Sequence, residues 1–167
     1  MESNVEVKIT YEKSEIKKAI SYYILWVCNI RTYALVVYPI IIATIILSIM
    51  ASEYELVPIV FVLAGYILYY IYYQRPIDGY LKFYQKRKGG VYCFSNDGVS
   101  VVGEEIQIQY VWSVFIKAYE IPSAFLLLDD NKFVYILPKS CFGDNKSIEQ
   151  IHNLLLQKVS YFQEVVG

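Results

Sequence analysis

Two stretches near the middle of the chain contain no charged residue: Thr32 to Ser52, 21 residues, and Leu56 to Gln74, 19 residues. About 20 apolar residues at 1.5 Å per residue cover roughly 30 Å, the hydrocarbon thickness of a bilayer. Wholly apolar helices of that length are rare in a soluble protein of this size. The two stretches are therefore expected to be transmembrane helices, at about 33–52 and 56–74. Only Glu53-Tyr54-Glu55 and a neighbour or two connect them. So short a link forces an antiparallel hairpin.

Charge sets the expected orientation. Lys8, Lys13, Lys17, Lys18 and Arg31 precede the hairpin, Arg75, Lys82, Lys86, Arg87 and Lys88 follow it, and the connection has no basic residue. The positive-inside rule then places both termini in the cytoplasm and the protein in the cytoplasmic (inner) membrane. Tyr69, Tyr70, Tyr72 and Tyr73 crowd the inner end of the second span, at the level where amphipathic rings settle. Pro39 lies inside the first span, and Pro58 opens the second, where its missing N–H matters little. Thr44, Ser48, Ala64 and Gly65 offer small faces for close helix packing. Neither span contains an ionisable group of the kind that pumps and proton relays need at depth.

Four parts follow in order: 1–31, an N-terminal strand and interfacial helix; 32–74, the hairpin; 75–90, a basic juxtamembrane linker; 91–167, a cytosolic domain. Val5, Val7, Ile9 and Tyr11 alternate as in a strand with one buried face. Ser14 reads as the N-cap of a helix carrying Ile16, Ile20, Tyr23, Ile24 and Val27 on one side. Beyond Gly89-Gly90 the pattern turns to short strands. Asp97-Gly98, Gly103-Glu104-Glu105 and Asp129 to Lys132 mark three hairpins, and Pro122 and Pro138 end strands. Ser147 and Gln150 read as a capping box for a last helix with Ile148, Ile151, Leu155, Val159 and Phe162 on one face. The expected fold class is an α+β membrane protein. A transmembrane hairpin joins a small barrel-like or sandwich domain of six to seven strands, with a C-terminal helix at one end and Trp112 and Phe94 in its core.

The run Tyr92-Cys93-Phe94-Ser95-Asn96-Asp97-Gly98-Val99, then Trp112, Phe125-Leu126-Leu127, Ile136-Leu137-Pro138-Lys139 and Phe142, resembles the bacterial YcxB-like family. The order of parts is similar as well. The resemblance implies a C-terminal domain like a bacterial pleckstrin-homology fold, and it brings no catalytic residue with it. Some members look like immunity proteins encoded beside toxins. This chain departs from the family at Ser140, where a basic residue often follows the Pro-Lys pair.

Chemistry is expected to be absent. No phosphate-binding, dinucleotide, zinc-protease or nucleophile-elbow motif occurs. Cys28, Cys93 and Cys141 are too dispersed for a disulfide framework, and His152, the one histidine, has no ligand partner in sequence and reads as solvated. No enzyme activity, cofactor or metal is expected. Arg75, Lys82, Lys86, Arg87 and Lys88, diluted by Asp78 alone, fix topology and are candidates for contact with anionic lipid. Residues 89–167 hold five basic against nine acidic side chains. That balance disfavours nucleic acid and phosphate and suits a basic protein partner at the acidic turns Asp97, Glu104, Glu105, Asp129 and Asp130. The expected function is a non-enzymatic inner-membrane protein presenting a protein-binding module. The alternatives are an immunity protein that neutralises a membrane-acting or cytosol-delivered toxin, and a lipid-sensing regulator. A homo-oligomer is compatible with all three.

Overall fold

The computed structural model describes residues 5–51, 56–86, 89–103 and 107–165. The connection Glu53-Tyr54-Glu55, the basic pair Arg87 and Lys88, and the turn residues Glu104 and Glu105 lie outside them. The chain is α+β and divides into two compact units: residues 1–19 with 81–167, and residues 20–80.

The first unit contains two four-stranded sheets. In one, β1 (Val5–Ile9), β2 (Gly90–Phe94), β3 (Gly98–Val102) and β4 (Gln107–Val111) lie in sequence order, all antiparallel. β1 buries Val5, Val7 and Ile9 and exposes the residues between, as its alternation requires. Its partner β2 is some eighty residues away in sequence, with Val7 opposite Tyr92. The tight turn into β3 is held by Ser95, whose N–H donates to the Gly98 carbonyl at 2.9 Å and whose hydroxyl accepts from the N–H groups of Asp97 and Gly98. A side chain at Gly98 would run into the Tyr110 carbonyl of β4, so the position requires glycine.

The second sheet has the order β7-β6-β5-β8, from β5 (Phe115–Ile121), β6 (Ala124–Asp129), β7 (Val134–Pro138) and β8 (Phe162–Glu164). β5, β6 and β7 are antiparallel neighbours, and β8 returns parallel to β5. All six residues of β6 are buried, so this sheet is covered on both faces, which accounts for its unbroken apolar run. One face joins the core formed by Val7, Phe94, Trp112, Phe115, Phe125, Leu127, Leu137 and the helix α5 (Asn145–Lys158), through Ile151 and Leu155. Trp112 and Phe94 are core aromatics as expected, and the Trp112 indole donates to the Ser95 carbonyl at 2.9 Å.

Three helical expectations are corrected. The N-terminal helix α1 (Lys13–Tyr22) begins before Ser14, which sits in its first turn rather than capping it. The last helix is capped by Asp144, whose carboxylate accepts from the Ser147 N–H at 2.7 Å; Ser147 therefore lies inside the first turn, and no Ser147–Gln150 box forms. Phe162 leaves the helix altogether. α5 stops at Lys158, and Phe162 opens β8, an eighth strand that the helical spacing had concealed.

In the second unit the chain leaves α1 through a π-helical turn, Tyr23–Val27, closed by the Cys28 N–H donating to the Tyr23 carbonyl at 2.9 Å. Asn29, at φ 56°, then breaks the helix, a conformation asparagine adopts more readily than most residues. The Thr32 hydroxyl donates to its side-chain oxygen at 2.6 Å. α2 (Ile30–Ala51) follows with Pro39 inside it. Among the described helices, one is long and apolar enough to cross a membrane: Ile30–Met50, 21 residues, mean hydropathy 2.4, with its apolar window wholly unburied. The second stretch is α-helical for 14 residues, α3 (Leu56–Tyr69), and then passes through a second π-helical turn, Tyr70–Gln74, into α4 (Arg75–Lys86). A Cβ at Gly65 of α3 would stand 3.8–3.9 Å from the side chains of Ile41 and Tyr38 of α2, while the end of α3 lies beside the start of α2; the two run antiparallel. Thr44 and Ser48 donate to the carbonyls of Ile40 and Thr44, so their hydroxyls are spent within their own helix.

Candidate functional site

Among the described residues of the sheet unit, a set of polar side chains gathers on Glu120, near the end of β5. Its face of the strand is that of Ala118, which is in the core, so the carboxylate emerges where the core meets α5. Lys139, just after β7, donates to Oε1 at 2.6 Å, and His152 of α5 approaches Oε2 through Nδ1 at 2.6 Å. His152 Nε2 lies 3.7 Å from Glu164 Oε1 on β8, and the Phe162 ring stands edge-on to the imidazole at 5.1 Å. Glu120 and Glu164 are themselves opposite each other in the parallel pairing of β5 and β8. Lys139 also lies over the Phe125 ring at 5.1 Å.

Burial acts to raise the Glu120 carboxyl, but the hydrogen bonds from Lys139 and His152, and the charges on those groups, overcome it and hold the group below its ordinary value. Glu120, His152 and Glu164 are close enough for their donor atoms to share a metal ion. Both Glu120 oxygens are already engaged, however, one by an ammonium group that a cation would have to displace. The arrangement resembles a clamp: Lys139, after β7, and His152, on α5, converge on the Glu120 carboxylate, while Glu164 on β8 approaches the other nitrogen of the imidazole. His152 is thus a half-buried partner of Glu120, not the solvated surface residue expected from its place in the helix.

The acidic turns differ from one another. Asp97 and Asp130 are exposed. Asp129 is buried at 8% exposure: its carboxylate accepts from the Phe133 N–H at 2.9 Å and from the Tyr135 hydroxyl at 3.3 Å. It closes the β6–β7 turn, so its expected part in an exposed acidic surface is corrected. Burial pushes the Tyr135 hydroxyl well above its ordinary value, and Tyr110 and Asp129 add to the effect. Arg75, Lys82 and Lys86 all belong to α4, and all but its C-terminal half falls in the second unit. The Glu120 cluster had no sequence signal, because its members come from positions 120, 139, 152 and 164 and share no spacing.

The sheet unit is thus an α+β arrangement of a pair of sheets with a helix seated on them, and the polar groups around Glu120 are tied to one another. A family model described as YcxB-like protein matches residues 94–155, from the end of β2 into α5, and the resemblance read from the sequence holds over that stretch. No curated protein and no solved structure matches the chain.

Proposed function

We propose that this chain is a membrane-anchored, non-catalytic binding module: a two-helix hairpin in the inner membrane holds a pleckstrin-homology-like sheet unit on the cytoplasmic side, where it engages a protein with a basic surface. The observation that carries this reading is α2, whose 21-residue apolar stretch has no buried window within the protein. Leaving that much apolar surface in water opposes solubility, whereas lipid accommodates it. The second span of the proposal is α3 continued through the π-helical turn, which together cover Leu56 to Gln74 without a charge. Two supports are weaker: the paired sheets with a C-terminal helix suit a pleckstrin-homology-like frame, and the exposed Asp97 and Asp130 suit a basic partner.

The test is extraction of membranes from cells expressing the full chain, together with reporter fusions. Retention in the membrane pellet through alkaline carbonate, with a reporter at Gly167 active in the cytoplasm and one at Tyr54 active outside, is the expected outcome. Release into the carbonate supernatant, or both reporters on one side, overturns the reading.

A further inference from the structure

Beside the start of α2 the second unit contains a cleft of about 770 Å³, lined by Leu25, Ile30, Ala34, Val37, Leu68 and tyrosines of both helical stretches. Three features distinguish it from an ordinary seam between helices. Its volume lies within the roughly 300–1,000 Å³ of small-molecule sites. Both π-helical turns border it, the first through Leu25 and the second through Tyr72 and Tyr73, and such turns recur at functional sites. Its lining has no ionisable acid or base apart from the tyrosine phenols, yet Arg31 immediately follows Ile30. The Arg31 side chain is exposed, its guanidinium lies 4.4 Å over the Trp26 ring, and among the described residues no carboxylate pairs with it.

An apolar trough with a guanidinium on the residue next to its lining, unpaired by any carboxylate among the described residues, matches a ligand with a long apolar chain and one anionic head. We propose that this cleft binds one anionic diacyl phospholipid, an acyl chain lying along Ala34, Val37 and Leu68 and the phosphate paired with Arg31. The tyrosine rings present apolar faces to the chain and hydroxyls to the glycerol region. Arg31 is suited to the phosphate because its planar donors engage two oxygens together, and stacking on Trp26 holds the plane in place. This inference rests on the membrane reading above.

The experiment is native mass spectrometry of the full chain purified in detergent, delipidated, and titrated with phosphatidylglycerol or phosphatidylcholine. Wild type is expected to hold one phosphatidylglycerol with at least tenfold preference over phosphatidylcholine. Ala34→Trp, which fills the trough, is expected to lose retention of both lipids at least tenfold. Leu35→Trp, the neighbouring exposed position outside the lining, is expected to retain them and serves as the matched control. Arg31→Gln is expected to keep lipid but lose the headgroup preference. Equal retention by Ala34→Trp and wild type, indifference of wild type to headgroup, or occupation of the cleft by a second copy seen as a dimer that excludes lipid would each overturn the proposal. Should Ala34→Trp fail to fold, the headgroup preference and its loss in Arg31→Gln still decide. A chain that is carbonate-resistant but shows no preference defeats this inference alone; a chain that is released by carbonate defeats the membrane reading beneath it.

Discussion

Glu120 and Glu164 face each other across β5 and β8, and two carboxylates so placed repel. Lys139 and His152 supply the opposing charge, and the net result is a Glu120 carboxyl held below its ordinary value. The sign of its linkage follows. Glu120 contributes stability that is fully present above the ordinary carboxylate range, about 4.3, and that is lost as pH falls through its lower folded value. Glu120→Gln is expected to destabilise the sheet unit by about 1–2 kcal/mol at pH 7, the range for a charge-assisted hydrogen bond reduced for partial exposure. The loss is expected to shrink as pH falls below that range and through the lower folded value. Thermal melts of the two proteins across pH 3–7 check this, and a constant difference over that range would contradict it. At this scale the sequence was least informative, because which side chain meets Glu120 depends on strand order and helix placement.

At the scale of elements, the outer edge of β7 illustrates how the second sheet is finished. Tyr84 of α4 donates through its hydroxyl to the Val134 carbonyl at 2.7 Å and accepts from the Ile136 N–H at 3.0 Å. One phenol thus takes the place of a neighbouring strand, and its ring packs near Phe133 and Tyr11. Tyr84→Phe leaves a buried N–H and carbonyl without this partner and is expected to cost about 1–3 kcal/mol. Amide exchange at Ile136 should accelerate while protection at Leu127 on β6 falls only by the global loss; unchanged protection at Ile136 would refute the edge role. Alternation and turn chemistry made the β2–β3, β3–β4 and β6–β7 hairpins legible beforehand, but not the β5–β6 pairing across Pro122. β8 was hidden because Phe162 continues the helical spacing of α5, and the strand exists only through its pairing with β5. The π-helical turns were equally hidden, since no residue pattern marks an i to i−5 bond.

At the scale of the whole molecule, the N-terminal strand belongs to the C-terminal sheets. β1 pairs with β2 over five positions, and Val5, Val7 and Ile9 enter the same core as Phe94 and Phe125. Residues 89–167 taken alone would therefore lack an edge strand and part of their core. Val7→Asp places an unpaired charge at a site 5% exposed. It is expected to make the sheet unit sensitive to limited proteolysis between β2 and α5, nearly a hundred residues away in sequence from the change. Resistance equal to wild type would show that β1 is dispensable.

Composition and periodicity by themselves determined what is local: the long apolar stretches, the strand alternation, the tight turns and the core aromatics, each of which depends on residues only a few positions apart. The pairing of β1 with β2, the return of β8, the clamp on Glu120 and the cleft beside Arg31 were decided by tertiary structure alone. Each joins residues distant along the chain, and no short-range preference for helix, strand or turn encodes which distant partner a side chain will meet.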